Sequence, residues 1–148
     1  METIRVMEDI LENHTIVLYS LDSWKRFGRM EMSSPEIRRK MPNSIRVEEY
    51  QNAIETLEKG EVWRNRELLA GYPAYIAGIK RNGELVMLVF IQDAASNQMT
   101  LYYLNLIKIL CGLVEVSLLR ALEYQEAVRD REYVEGTHIL KTEYLWKG

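Results

Sequence analysis

The chain has 148 residues, 47% of them hydrophobic and 28% charged, the size of one domain with enough apolar material for a real core. Its net charge is −3 and its Lys and Arg residues are scattered along the sequence, so the positive field that nucleic-acid binding requires is missing and no nucleic-acid partner is expected. A single cysteine, Cys111, allows neither an internal disulfide nor a cysteine-based zinc cluster, and fits a reducing, cytoplasmic setting.

The first thirteen residues include Glu2, Arg5, Glu8, Asp9 and Glu12, and so lack the apolar centre of a signal peptide. Ile4, Met7, Ile10 and Leu11 recur at three- and four-residue spacing, which predicts a short amphipathic helix over Met1–Asn13. Thr15–Leu21 is a β-rich run that stops at the turn-forming pair Asp22-Ser23. Arg26–Met32 then alternates apolar and polar residues, so the two runs predict a hairpin. The segment from Ser33 to Ser44 holds Pro35, Pro42 and the basic cluster Arg38-Arg39-Lys40, and reads as a loop with at most one helical turn.

Val47–Lys59 places Val47, Tyr50, Ile54 and Leu57 at helical spacing, and Gly60 follows as a left-handed cap. Glu61–Asn65 reads as a short edge strand. Pro73–Lys80 and Glu84–Ile91 flank Asn82-Gly83, a pair that favours the positive φ angles of a tight hairpin. The second of these runs is apolar on both faces, which predicts a central strand with elements packed on each side. From residue 98 to 135 the pattern is helical, apolar in its first half and charged in its second. Gly136-Thr137 breaks it, and helical spacing resumes over His138–Trp146. The apolar stretch Leu101–Leu122 is interrupted by Asn105, Lys108, Glu115 and Arg120, charges too costly for a bilayer, so no membrane insertion is expected.

Signals for chemistry are sparse. His14 and His138 stand near opposite ends of the chain, and Cys111 sits among Ile109, Leu110 and Leu113, where it reads as a small core residue rather than a reactive thiol. No spacing of His, Cys and carboxylates resembles a metal site. The dispersed glycines are explained by turns and caps, so neither a catalytic nor a metal-binding residue is expected, and no cofactor.

The order helix, hairpin, variable loop, helix, short strand, long hairpin, long helix resembles the GAF domain of bacterial signalling proteins over residues 1–126. The resemblance is carried by Ala53–Trp63, by Tyr75–Ile79 and by Asn82–Phe90. It implies an α+β fold, GAF/PAS-like, with a central antiparallel sheet flanked by helices, a long C-terminal helix, and one domain over 1–148. It also implies a small-molecule pocket between the sheet and its covering loop and helix, with Tyr19, Phe27, Tyr50, Trp63 and Tyr75 as lining; an ordinary aromatic core is the competing reading. GAF domains pair through their terminal helices, which would put Ile4, Met7, Leu11, Leu104, Ile107, Leu118 and Leu122 at a homodimer interface, against plain packing within one chain.

A narrower resemblance, on Leu104–Leu110 and Tyr133–Leu140, is to the GAF region of PelD-like regulators of exopolysaccharide synthesis. The arginine-then-aspartate pattern of the cyclic di-GMP inhibitory site, three positions apart, follows none of the twelve arginines. The GAF-fold methionine sulfoxide reductases need reactive cysteines that this chain lacks. The expectation is therefore a non-catalytic regulatory module of a signalling or biofilm exopolysaccharide system, acting through dimerisation or docking to a neighbouring protein; the alternative is a small-molecule sensor.

Overall fold

A computed structural model describes residues 2–117, 120, 127 and 128. The chain divides into two compact units, Met1–Glu115 and Val116–Gly148. In the second, the described residues are all helical. The first holds the sheet and its covers, in the order α1 (Glu2–Leu11), β1 (Ile16–Leu21), β2 (Phe27–Ser33), β3 (Ser44–Arg46), α2 (Gln51–Glu58), β4 (Trp63–Arg64), β5 (Tyr75–Arg81) and β6 (Glu84–Ile91). A further helix, α3, follows over 101–117. The expected stretch from 118 to 135, apart from residues 120, 127 and 128, and the extension over 136–148 lie outside the described residues.

The fold is α+β, with six strands in one antiparallel sheet ordered β3-β2-β1-β6-β5-β4. The two tight turns form as their residues dictate. Asp22 Oδ1 accepts from the main-chain N–H of Arg26 and Phe27 at 2.8 and 3.2 Å, closing β1 onto β2. Asn82 and Gly83 take φ values of 53° and 79°, closing β5 onto β6. The β1–β2 register shifts between Leu18 and Tyr19.

β6 lies at the centre, between β1 and β5. Successive side chains alternate between faces, so Leu88 and Phe90 join Val17 and Tyr19 on one face, while Met87, Val89 and Ile91 join Ile16 and Leu18 on the other. The first face is covered by Ile37 from the loop, by Ile45 and Val47, and by Ala53, Ile54 and Leu57 of α2. The second face is covered by α1, through Ile4, Met7 and Leu11, and by α3, through Tyr103, Ile107, Leu110, Cys111 and Val114, all of them buried.

Two elements depart from the sequence reading. The helix expected over Val47–Lys59 begins as a 3-10 turn, Val47–Tyr50, and becomes α-helical only from Gln51. The cause is that Val47 N–H still donates to Arg26 O at 2.9 Å, so the chain remains attached to the sheet for one more residue. β3 was not foreseen, because three residues with one buried side chain, Ile45, give no readable period. Gly60 caps α2 as expected, with φ of 81° and its N–H on Leu57 O at 3.0 Å.

A polar knot fastens the covers of the second face to the sheet. α1 ends at Glu12, which turns left-handed with φ of 49° and directs Asn13 inward. Asn13 Oδ1 accepts from Thr15 N–H at 2.8 Å and from Thr15 Oγ1 at 2.7 Å, and Asn13 Nδ2 donates to Asp93 O at 2.7 Å. Gln98, just before α3, donates from Nε2 to Leu11 O and Glu12 O at 3.3 and 2.9 Å. Tyr103 Oη donates to Leu11 O at 2.8 Å. Asn13 is itself buried, so its removal leaves the Thr15 N–H without a partner and Asp93 O with Thr15 Oγ1 alone, an unmet buried group costing ~1–3 kcal/mol. Asn13→Ala is expected to lower the unfolding free energy by about 2–4 kcal/mol, read as a shift of the urea midpoint with an unchanged slope.

Candidate functional site

Tyr19, Tyr50 and Trp63, three of the five aromatic residues expected around a pocket, do meet on the first face. Tyr19 packs edge-on against Phe90 with ring centroids 5.1 Å apart, and Tyr50 against Phe90 at 5.0 Å. Tyr72 extends the chain of rings, 5.3 Å from Tyr50 and 5.9 Å from Trp63. Phe90 and Tyr19 are wholly buried, and the space between the sheet and α2 is occupied by these rings together with Leu57, Ile54 and Leu88. Tyr19 Oη donates to Pro42 O at 2.8 Å, so its hydroxyl ties the loop to the sheet. This face has the character of an aromatic core.

The other two aromatics lie elsewhere. Gly28 points to the first face, because a Cβ there would meet Ile45 Cγ1 at 3.0 Å and Tyr19 Cβ at 3.2 Å. Phe27, one residue earlier, therefore points to the opposite face and is 50% exposed. Tyr75 likewise precedes Ile76 and turns to the second face. There it packs on Tyr103 with centroids 5.7 Å apart and donates from Oη to Gln98 O at 2.8 Å.

The expected interface residues are also redistributed. Ile4, Met7, Leu11 and Ile107 are buried against the sheet, so they pack within the chain and are not presented to a second one. Leu104 is partly buried. Leu118 and Leu122 lie outside the described residues. The reason is that α3 is apolar over more than half its circumference, and the sheet takes the stripe that includes Tyr103, Ile107, Leu110 and Val114. One flank of α3 is polar and faces β5 and the segment that precedes β4: Lys108 Nζ lies 3.6 Å from Glu61 Oε2, and Glu115 Oε2 accepts from Lys80 N–H at 3.3 Å.

The opposite flank of α3 carries Tyr102, Ile109 and Leu113, which are 78%, 63% and 60% exposed. Residues 102, 109 and 113 fall on one side of a helix of 3.6 residues per turn, with the partly buried Leu106 between them. α1 packs on β1. α1 in turn leaves Val6 and Ile10 exposed, one helical turn apart. Each of the two helices thus carries exposed apolar side chains that the sheet does not use. On α3 their sequence signal was present as a second stripe on an apolar helix, but nothing in the sequence says which of two stripes the sheet will take.

Titratable groups offer little chemistry. His14 is exposed and pairs through Nδ1 with Glu8 Oε2 at 3.0 Å, an interaction that raises its pKa from 6.5. Burial, aided by Glu115, pushes the Cys111 thiol up to about 12, which keeps it neutral and a poor nucleophile. Among the described residues, no group of three or more His, Cys, Asp or Glu side chains is placed to hold a metal ion, and no helix is long and apolar enough to cross a membrane. No protein-family model matches the sequence, and no curated protein matches it significantly.

Burial holds Tyr19 and Tyr103 at about 12, against an ordinary 10.0, and Cys111 at about 12 against 9.0. Above the ordinary values the unfolded chain releases protons that the folded chain retains, so these groups stabilise the fold below about pH 9 and that contribution is lost as pH rises to about 12. Urea midpoints are expected to hold steady from neutral pH to about 9 and then fall. The double variant Tyr19→Phe, Tyr103→Phe, followed over the same range, should show a shallower fall.

Proposed function

We propose that this chain is a non-catalytic, GAF-like regulatory domain that works by self-association through the apolar side chains that α1 and α3 leave exposed. The observation that carries this reading is the exposure of Tyr102, Ile109 and Leu113 on α3 and of Val6 and Ile10 on α1, helices whose buried apolar residues are already packed on the sheet. Contiguous exposed apolar side chains of this kind mark interaction surfaces in stable folded proteins. The order of elements supports the GAF-like assignment: helix, hairpin, loop, helix, short edge strand, long hairpin and helix follow one another as the resemblance implies.

A sensor with its ligand between sheet and α2 is less favoured, because Tyr19, Tyr50, Phe90 and Leu57 occupy that space themselves. A role in a bacterial exopolysaccharide system, with a neighbouring regulatory or biosynthetic protein as a further partner, rests on the PelD-like likeness of residues 104–110 and 133–140 alone.

Light scattering on the full chain at tens of micromolar tests the reading. A mass of about twice the 17.4 kDa of one chain is expected. The double variant Ile109→Glu, Leu113→Glu should shift it to the monomer without lowering the melting temperature, since both side chains are exposed in the single chain. A monomeric wild type at that concentration overturns the proposal.

A further inference from the structure

We propose that a cleft between α1 and the loop following β2 is a binding site for a small phosphomonoester. The cleft has a volume of about 280 Å³ and is lined by Ile4, Arg5, Glu8, Ser33, Pro35, Arg38 and Arg39. None of its three guanidinium groups forms an ion pair among the described residues. Its one carboxylate, Glu8, is already engaged by His14 at 3.0 Å.

The arginines are held in place from beneath. Ile37 is buried, Lys40 N–H and Met41 N–H both donate to Ile37 O at 2.9 and 3.2 Å, and Ile37 N–H donates to Ser34 O at 3.2 Å. Arg38 and Arg39 thus project from a hydrogen-bonded turn pinned to the core, and Arg5 faces them from α1. The planar fork of a guanidinium matches phosphate oxygens with two parallel hydrogen bonds.

Charge and size select the ligand class. Three guanidiniums against one carboxylate leave two net positive charges on the lining, the complement of a phosphomonoester, which carries about −1.5 to −2 at neutral pH. A single carboxylate would leave one charge unmatched. The volume of about 280 Å³ falls just below the range of ~300–1,000 Å³ for drug-sized ligands, so a phosphate with a short organic group fits.

Isothermal titration calorimetry on the full chain, with glycerol 3-phosphate, inorganic phosphate and acetate as titrants at one ionic strength set with chloride, tests the site. Saturable one-to-one binding of the ester and no saturable binding of acetate are expected. Inorganic phosphate binding as tightly as the ester would assign the site to free phosphate, and weaker binding would assign it to the ester. Arg38→Gln and Arg39→Gln should each weaken binding about tenfold. Melting temperatures should be unchanged in both arginine variants, whose side chains are exposed. Absence of saturable binding by either phosphate, acetate binding as tightly, or full binding by the triple variant Arg5→Gln, Arg38→Gln, Arg39→Gln overturns the proposal.

Discussion

The structure depends on β6 being apolar on both faces. Leu88 and Phe90 on one side, and Met87, Val89 and Ile91 on the other, are nearly or wholly buried, and a strand of that kind is stable only where both faces are covered. Its position between β1 and β5 gives it the hydrogen bonds of a central strand, and the demand for two covers then determines the use of the remaining chain. α2 and the loop carrying Ile37 close one face, and α1 with α3 close the other. Each helix spends its best apolar stripe on this task. What is left exposed on α1 and α3 is therefore surplus to the fold, which is why it deserves a functional reading.

How much of this could be read from the sequence follows from the range of each signal. The Asn82-Gly83 turn, the Gly60 cap and the two-faced character of β6 are local, decided within a few residues, and all of them form. Facing is another matter. Whether Phe27 or Gly28 points at α2 depends on a register of period two, in which one residue reverses the answer, and the shift between Leu18 and Tyr19 makes counting from the turn unsafe. The same limit applies to α3: the stripe through Ile107 and the stripe through Ile109 are equally apolar in sequence, and only the sheet distinguishes them. β3 and the 3-10 turn at Val47 are consequences of pairing with β2 and the hairpin loop, contacts that lie far from any local pattern.

The knot at Asn13 explains how helices from opposite ends of the first unit become one cover. Asn13 and Asp93 are eighty residues apart in sequence, and Gln98 reaches back to Leu11 and Glu12. Hydrophobic burial would hold α1 and α3 on the sheet without fixing how they lie along it, because apolar contact is not directional. Hydrogen bonds to specific carbonyls fix that placement. They hold the end of α1 beside the start of α3.

α1 is the element on which these properties converge. In a helix, residues 4, 7 and 11 share one face, residues 6 and 10 one flank, and residues 5 and 8 the other. Ile4, Met7 and Leu11 are consumed by the sheet; Val6 and Ile10 stay exposed; Arg5 and Glu8 meet the loop that carries Arg38 and Arg39. Ten residues thus connect a core, an apolar surface and a charged cleft. Any change in how α1 seats on the sheet must alter all three together, since its short length leaves no internal joint at which one flank could move without the others. A ligand that bridges Arg5 to the 33–39 loop would tie α1 down along the flank opposite Val6 and Ile10, and the rigidity of a single short helix is the physical link between that contact and the exposed surface.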